Sequence, residues 1–132
     1  MKVITIIPAR GGSKSIPMKN IQKIKNKPLV AYSIEYSLKS KSISKTIVST
    51  DSTEIAEISR QYGADIPFIR PSEFAEDNSK DFEFMRHAHD YFEGKGEKYD
   101  LYVLLRPTSP MRPKGLIEKA IQIFKSNPNI HQ

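Results

Sequence analysis

Cysteine and tryptophan are both missing from the 132 residues. Without cysteine there is no disulfide, no thiolate zinc site and no cysteine nucleophile. Long apolar runs are missing too. Nothing approaches the ~18 residues that cross a bilayer, and MKVITIIPAR reaches Pro8 too soon for the apolar region of a secretory signal. The expectation is a soluble, cytoplasmic protein with no membrane partner. Acid is scarce in the first fifty residues, where ten Lys or Arg face Glu35 alone, a local charge of +9. The remainder carries −3, within a net +6. Aromatic rings are absent from residues 8–27, the most basic stretch. A surface for single-stranded nucleic acid stacks bases on such rings, so their absence turns the reading toward the phosphates of a small polyanion such as a nucleoside triphosphate. A solvated basic face would account for the same asymmetry. What remains is ordinary, with 38% hydrophobic and 27% charged residues. That suits one globular domain over 1–132.

Residues 2–7 (KVITII) are β-branched and apolar almost throughout, as in a strand covered on both faces. Pro8 ends that strand, and residues 8–27 follow as a long basic loop. Pro28 opens a helix over about 28–39. Leu29, Tyr32 and Tyr36 recur on its inner face, with Val30, Ile34 and Leu38 beside them. Residues 44–49 form a second strand. Asp51 and Glu54 have capping-box spacing, before a helix with Ile55, Ile58 and Tyr62 on one side that Gly63 ends. Residues 66–69 (IPFI) read as a third strand and 70–80 as a polar loop. Ser79 then caps a helix running to about Phe92, with Phe82, Met85, His89 and Phe92 inward. Residues 101–105 (LYVLL) read as a fourth buried strand. Pro113 opens a last helix with Leu116, Ile117, Ala120, Ile121 and Phe124 inward.

The order βαβαβαβα predicts an α/β fold with a mainly parallel sheet and right-handed crossovers. Such sheets bind ligands outside the carboxyl ends of their strands. Chain order therefore brings four segments to one rim: the basic loop from Pro8, STD at 49–51, RPSEFAED at 70–77 and RPTSPMR at 106–112. The first is neither GxxxxGK[ST] nor GxGxxG, which disfavours a Walker ATPase and a dinucleotide site. Gly11 and Gly12 allow close approach of backbone to phosphate, and successive N–H groups can form an anion nest. Arg10, Lys14 and Lys19 add cations. A glycine turn with surface lysines has the same spacing. His87 and His89, two apart on one helix, point in different directions and suggest no metal site.

The string IIPARGGSKSIPMKNI resembles the N-terminal signature of the CMP-sialic acid synthetase family, the acylneuraminate cytidylyltransferases. The similarity continues, in order, through KPLVAYSIEYSL, VSTDSTEIAEISRQYGA, RPSEFAEDNS and LLRPTSPMR. The cytidylyltransferases for legionaminate, pseudaminate and 3-deoxy-manno-octulosonate are similar, less closely. The resemblance implies a Rossmann-like nucleotidyltransferase domain, ending here after the fourth βα unit. It implies transfer of CMP from CTP to a nonulosonic acid such as N-acetylneuraminate, with release of pyrophosphate and with Mg²⁺.

By the same resemblance Arg10 and Lys19 are catalytic, and Arg10, Gly11, Gly12, Ser13, Lys14 and Lys19 hold the triphosphate. Asn20 lies near the ribose or cytosine, while Arg70, Ser79 and Asp81 border the base. Arg106, Thr108 and Ser109 face the sugar. Each has a plainer reading. Arg70 can pair with Glu73, Glu76 or Asp77, Ser79 can simply cap its helix, and Thr108 and Ser109 can satisfy turn backbone. Asp51 reads as a capping acid. The sialic acid enzymes carry Gln in QPTSP where this chain has Arg106, a charged fork in place of a neutral amide. The resemblance also places the metal-binding aspartates, a dimerisation segment and much of the sugar pocket beyond residue 132. The expectations are no metal ligand in this chain, a homo-oligomer, and no competent transfer by these residues alone. The alternatives are a non-catalytic module for nucleotide or nucleic acid, and a nucleotidyltransferase for another sugar acid.

Overall fold

A computed structural model describes residues 2–9, 23, 24, 26–69, 81–106 and 115–126. Its centre is a parallel three-stranded sheet of β1 (Val3–Pro8), β4 (Lys45–Ser49) and β5 (Leu101–Leu104) in the order β4-β1-β5. Ile6 is the pivot of the register, opposite Ile47 on one side and Leu104 on the other. A middle strand of a doubly covered sheet must be apolar on both faces, and Val3, Ile4, Ile6 and Ile7 are all buried. A two-stranded antiparallel pair, β2 (Lys23–Ile24) and β3 (Lys27–Pro28), lies apart from this sheet. Asn26 turns between them at φ +68, a left-handed conformation that Asn tolerates.

Among the described residues four helices cover the sheet: α1 (Leu29–Leu38), α2 (Thr53–Gln61), α3 (Asp81–Gly94) and α4 (Leu116–Ser126). Alternation along β1 divides them. Ile7 packs with Val30 and Ile34 of α1 and Ile55 of α2. Val3, on the same face, packs with Ile117 and Ile121 of α4. Ile4 and Ile6 point the other way, against Ala88 and Phe92 of α3. This distribution is what right-handed crossovers require. The chain runs outward from β1 with α1 and α2 on one face, and reaches β5 after α3 on the other.

Several local expectations are corrected. Residues 66–69 are not a strand. Only Asp65 bridges to Ile47, with its N–H on the Thr46 carbonyl and its carbonyl accepting from Val48. Pro67, which has no N–H to donate, cannot extend that ladder. Pro8 does not stop β1 but closes it, opposite Ser49. Part of the loop expected over 8–27 is the β2–β3 pair. The cap of α2 is Ser52, whose Oγ accepts from the Ile55 N–H at 3.2 Å, and not Asp51. The inner face of α1 is Val30, Ala31, Ser33, Ile34 and Ser37; Leu29, Tyr32 and Tyr36 are half-buried, and Leu38 is exposed. In α3 the inward place expected for His89 belongs to Ala88, and His89 is exposed. The strand expected as fully buried, β5, is half-buried along its length. Helix α4 starts at Leu116, after Gly115 at φ +78, and Pro113 lies outside the described residues. Leu116 and Ala120 are exposed, so its buried seam is Ile117 and Ile121. Gly63 ends α2 as expected, at φ +103.

Candidate active site

The carboxyl ends of all three parallel strands lie at one end of the sheet. There the Ala9 N–H donates to the Ser49 carbonyl at 2.9 Å, and the Leu105 N–H to the Ile6 carbonyl at 3.0 Å. The Thr50 Oγ1 accepts from the Ser52 N–H at 3.1 Å, and Thr50 is buried. Two backbone–side-chain bonds in succession, at Thr50 and Ser52, thus turn β4 directly into α2. Because β1 connects to β4 on one side and has β5 on the other, strand order reverses between β1 and β5. In open α/β sheets that reversal opens the crevice in which ligands bind. The chain leaves the sheet on either side of it, at Ala9 and at Arg106.

Two of the rim segments have described anchors, the one that begins after Ala9 and the one that begins at Arg106. Residues 10–22 leave from Ala9, whose N–H is held by Ser49, and return at Lys23. That return is fastened to α1: the Lys27 ammonium pairs with Glu35 and lies 5.1 Å from the Tyr32 ring centroid. The hydrogen bond to Glu35 raises the Lys27 pKa above its ordinary value. Glu35, the lone acid of the first fifty residues, thus takes one cation out of the basic stretch to fix the β2–β3 pair on α1. The sequence pattern did not separate Lys27 from the other lysines. On the other side of the crevice the Ser33 Oγ donates to the Arg106 carbonyl at 3.3 Å. Helix α1 starts at this end with Pro28 as N-cap and no side-chain cap, so the partial positive charge of its N-terminus faces the rim.

Of the residues singled out from sequence, Arg106 stands at the mouth of the crevice, exposed, just past β5. Asp81 is the first residue of α3. Arg10, Gly11, Gly12, Ser13, Lys14, Lys19, Asn20, Arg70, Ser79, Thr108 and Ser109 lie outside the described residues. Asp51 is on the rim next to the α2 cap. Asp100 is at the far end, where its carboxylate accepts from the Lys2 N–H at 2.7 Å. No group of three or more acidic or histidine side chains gathers to hold a metal among the described residues. No helix among them is long and apolar enough to cross a membrane.

The sequence profile of the family described as "Cytidylyltransferase" matches residues 4–131. The chain belongs to that family. Among the curated cytidylyltransferases it is 42% identical over 125 residues to the N-acylneuraminate cytidylyltransferase of Escherichia coli O18:K1:H7, covering 95% of this chain and 29% of the relative. It is 38% identical over 127 residues to the pseudaminic acid cytidylyltransferase of Campylobacter jejuni, covering 96% of this chain and 55% of that protein. Among solved structures, CMP:2-keto-3-deoxy-manno-octonic acid synthetase complexed with CTP superposes with a TM-score of 0.81 at 22% identity, over 98% of this chain and 50% of the other. That likeness shows that the two chains share an α/β fold. The chain spans about half the length of the Campylobacter relative and of that structure, and less of the Escherichia relative.

Proposed function

We propose that this chain forms the CTP-binding part of a cytidylyltransferase that transfers CMP from CTP to a nonulosonic acid, releasing pyrophosphate. The observation that carries the reading is the collinear match, over nearly the whole chain, to relatives named for N-acylneuraminate and pseudaminic acid. The crevice between Ala9 and Arg106 lies where an α/β sheet receives such a substrate.

In this reading the anomeric hydroxyl of the sugar attacks the α-phosphorus of CTP. A new O–P bond forms, the bond from the α-phosphorus to the bridging oxygen breaks, and pyrophosphate leaves with its electron pair. The hydroxyl gives up its proton to solvent water. Phosphoryl-type transfer asks a protein chiefly for positioning and for neutralisation of charge. Arg10, Lys14 and Lys19, with the Gly11–Gly12 backbone and Ser13, grip the triphosphate from the β1 side. The uncapped start of α1 adds its partial positive charge to the same side. Asn20, Arg70, Ser79 and Asp81 surround the nucleoside. Arg106, Thr108 and Ser109 receive the acidic sugar from the β5 side. Magnesium, as in the family resemblance, supplies further charge neutralisation when bound. The enzyme works without a membrane or nucleic acid partner, in the cytoplasm, as a homo-oligomer.

The test is a parallel titration with CTP, ATP and single-stranded DNA, followed by a pyrophosphate-release assay with CTP, Mg²⁺ and a panel of nonulosonic acids. CTP-selective binding and release dependent on one acid are expected. DNA binding with a steep salt dependence and no preference for CTP would replace the reading with a nucleic-acid module.

A further inference from the structure

Four hydroxyl side chains gather at the end of the sheet opposite the crevice. There the turn from α1 into β4, the first residues of β4 and the turn after α2 enclose an open cavity of ≈ 150 Å³. Its floor is the Ser37 Oγ and the Thr46 Oγ1, 2.7 Å apart and both on buried residues. Ser40 and Ser44 line it from the turn, and Leu38 and Ile43 give it apolar walls. Gly63 keeps it open, since a Cβ there would lie 2.9 Å from the Leu38 Cδ1. Two hydroxyl protons in this cavity have no described acceptor. In the Ser37–Thr46 pair one oxygen donates and the other receives, and neither makes a further side-chain bond, so one proton of the pair is left over. The Ser44 Oγ accepts from the Val3 N–H at 3.2 Å, which leaves its own proton for another acceptor. Ser40 is the converse: its hydroxyl donates to Glu118 and keeps lone pairs that can accept. A buried polar group without a partner is costly, so the cavity suits a ligand that both accepts and donates.

Charge decides which kind of ligand that is. The Lys45 ammonium is engaged elsewhere, 3.6 Å from Glu97 and 5.3 Å from the Phe92 ring centroid. Lys39 and Lys41, exposed on the same turn, bring positive charge to the surroundings. The carboxyl ends of α1 and α2 and the exposed Asp65 bring negative charge. With both signs around the mouth, neither an anion nor a cation is favoured over a neutral molecule. We infer that the cavity is a binding site for a small uncharged polyol of three or four carbons. Its hydroxyl oxygens accept the two protons, a hydroxyl donates to Ser40, and its C–H face lies on Leu38 and Ile43. The size agrees: the cavity holds the volume of about five waters at ~30 Å³ each, near that of a three-carbon polyol. The site lies at the far end from the rim and is independent of the function proposed above.

Titration of isotopically labelled protein, read from its backbone amide resonances, tests this. Glycerol and erythritol are the probes, with inorganic phosphate and methylammonium as charged counterparts. Either polyol should shift the amides of Leu38, Ser44, Thr46 and Gly63 along a saturating curve and leave those of Ala9 and Arg106 in place. A Kd on the order of 1–10 mM is expected for a ligand with so few non-hydrogen atoms. Thr46→Val keeps the size of the floor and removes one of its hydroxyls. It should weaken polyol binding roughly tenfold, about the effect of one hydrogen bond. Ser44→Ala, on the exposed turn, should weaken it by a similar factor, and it decides the matter if the buried change disturbs folding. Shifts that stay linear in polyol, or that appear equally at Ala9 and Arg106, mean a solvent effect and overturn the site. Tighter saturation with phosphate or methylammonium than with either polyol overturns the ligand class. Undiminished polyol affinity in the folded variants places the polyol elsewhere and overturns the assignment to this cavity.

Discussion

At the scale of single residues, the cations of the rim divide by what they meet. Lys27 is held by Glu35, whereas the proposed site gives Lys19 to the triphosphate. Lys19→Ala should lower kcat/KM by roughly 10²–10³-fold, the usual effect of removing one preorganised charge contact, and leave the unfolding midpoint nearly unchanged. Wild-type turnover in the variant would remove Lys19 from the machinery. Arg106 makes a different prediction, because its backbone and side chain have separate work. With the carbonyl held by Ser33, Arg106→Gln alters only the exposed head group. It exchanges a charged fork for a neutral amide. Selectivity among nonulosonic acids should shift more than the affinity for CTP. A change confined to the CTP constant would move Arg106 to the nucleotide side. The place of Arg106 just past β5 could be read in the sequence, from its position after LYVLL. The bond from Ser33 to the Arg106 carbonyl could not, since a serine inside a helix carries no sign of a partner 73 residues away.

At the scale of elements, patterns that depend on one periodicity were legible, and patterns with two equally good solutions were not. β1, β4 and all four helices follow from apolar spacing and from Gly63. The cap of α2 did not, because Asp51 and Ser52 are both good caps and only backbone geometry chooses between them. The inner face of α1 was legible only in part, for a related reason. Counting apolar residues finds Val30 and Ile34, which are buried, but favours Leu29, Tyr32 and Tyr36 where the face uses Ser33 and Ser37 with their hydroxyls satisfied. Residues 66–69 look like a strand by composition, yet Pro67 cannot continue a ladder. Gly63 offers the sharpest test at this scale. Its φ is +103, and an added Cβ would lie 2.9 Å from the Leu38 Cδ1. Gly63→Ala should lower stability by roughly 1–2 kcal/mol, the cost of a left-handed conformation for an L-residue. Chemical denaturation would show this as an earlier midpoint; an unchanged midpoint would mean that the turn relaxes.

At the scale of the whole molecule, the double winding separates two ends with different work. The rim carries the carboxyl ends of β1, β4 and β5, where the proposed chemistry belongs. The far end is a fastening. There Asp100 accepts from the Lys2 N–H, the Lys2 ammonium lies 4.8 Å from the Tyr99 ring centroid, and the Tyr99 hydroxyl donates to Glu97 at 3.0 Å. Burial, then the hydrogen bond to Glu97 and its charge, push the Tyr99 pKa from 10.0 up to about 12. The native state thus holds the neutral phenol more tightly than the unfolded chain does. Its contribution to stability is complete below about pH 10 and is lost as pH rises toward 12. Tyr99→Phe should flatten the alkaline decline of stability over that window and leave the substrate constants alone. An identical decline in the variant would assign the effect to other groups.

The central place of β1 also has a consequence in time. The first strand to be made is the last to be enclosed, since its second neighbour, β5, begins at Leu101. At synthesis rates of about 5–20 residues per second, β1 waits on the order of 5–20 s for that partner. Through that interval an isoleucine-rich strand has an open edge while β4 alone is paired to it. The stretch that gives the sheet its core is, on the nascent chain, apolar and open along one edge until β5 arrives.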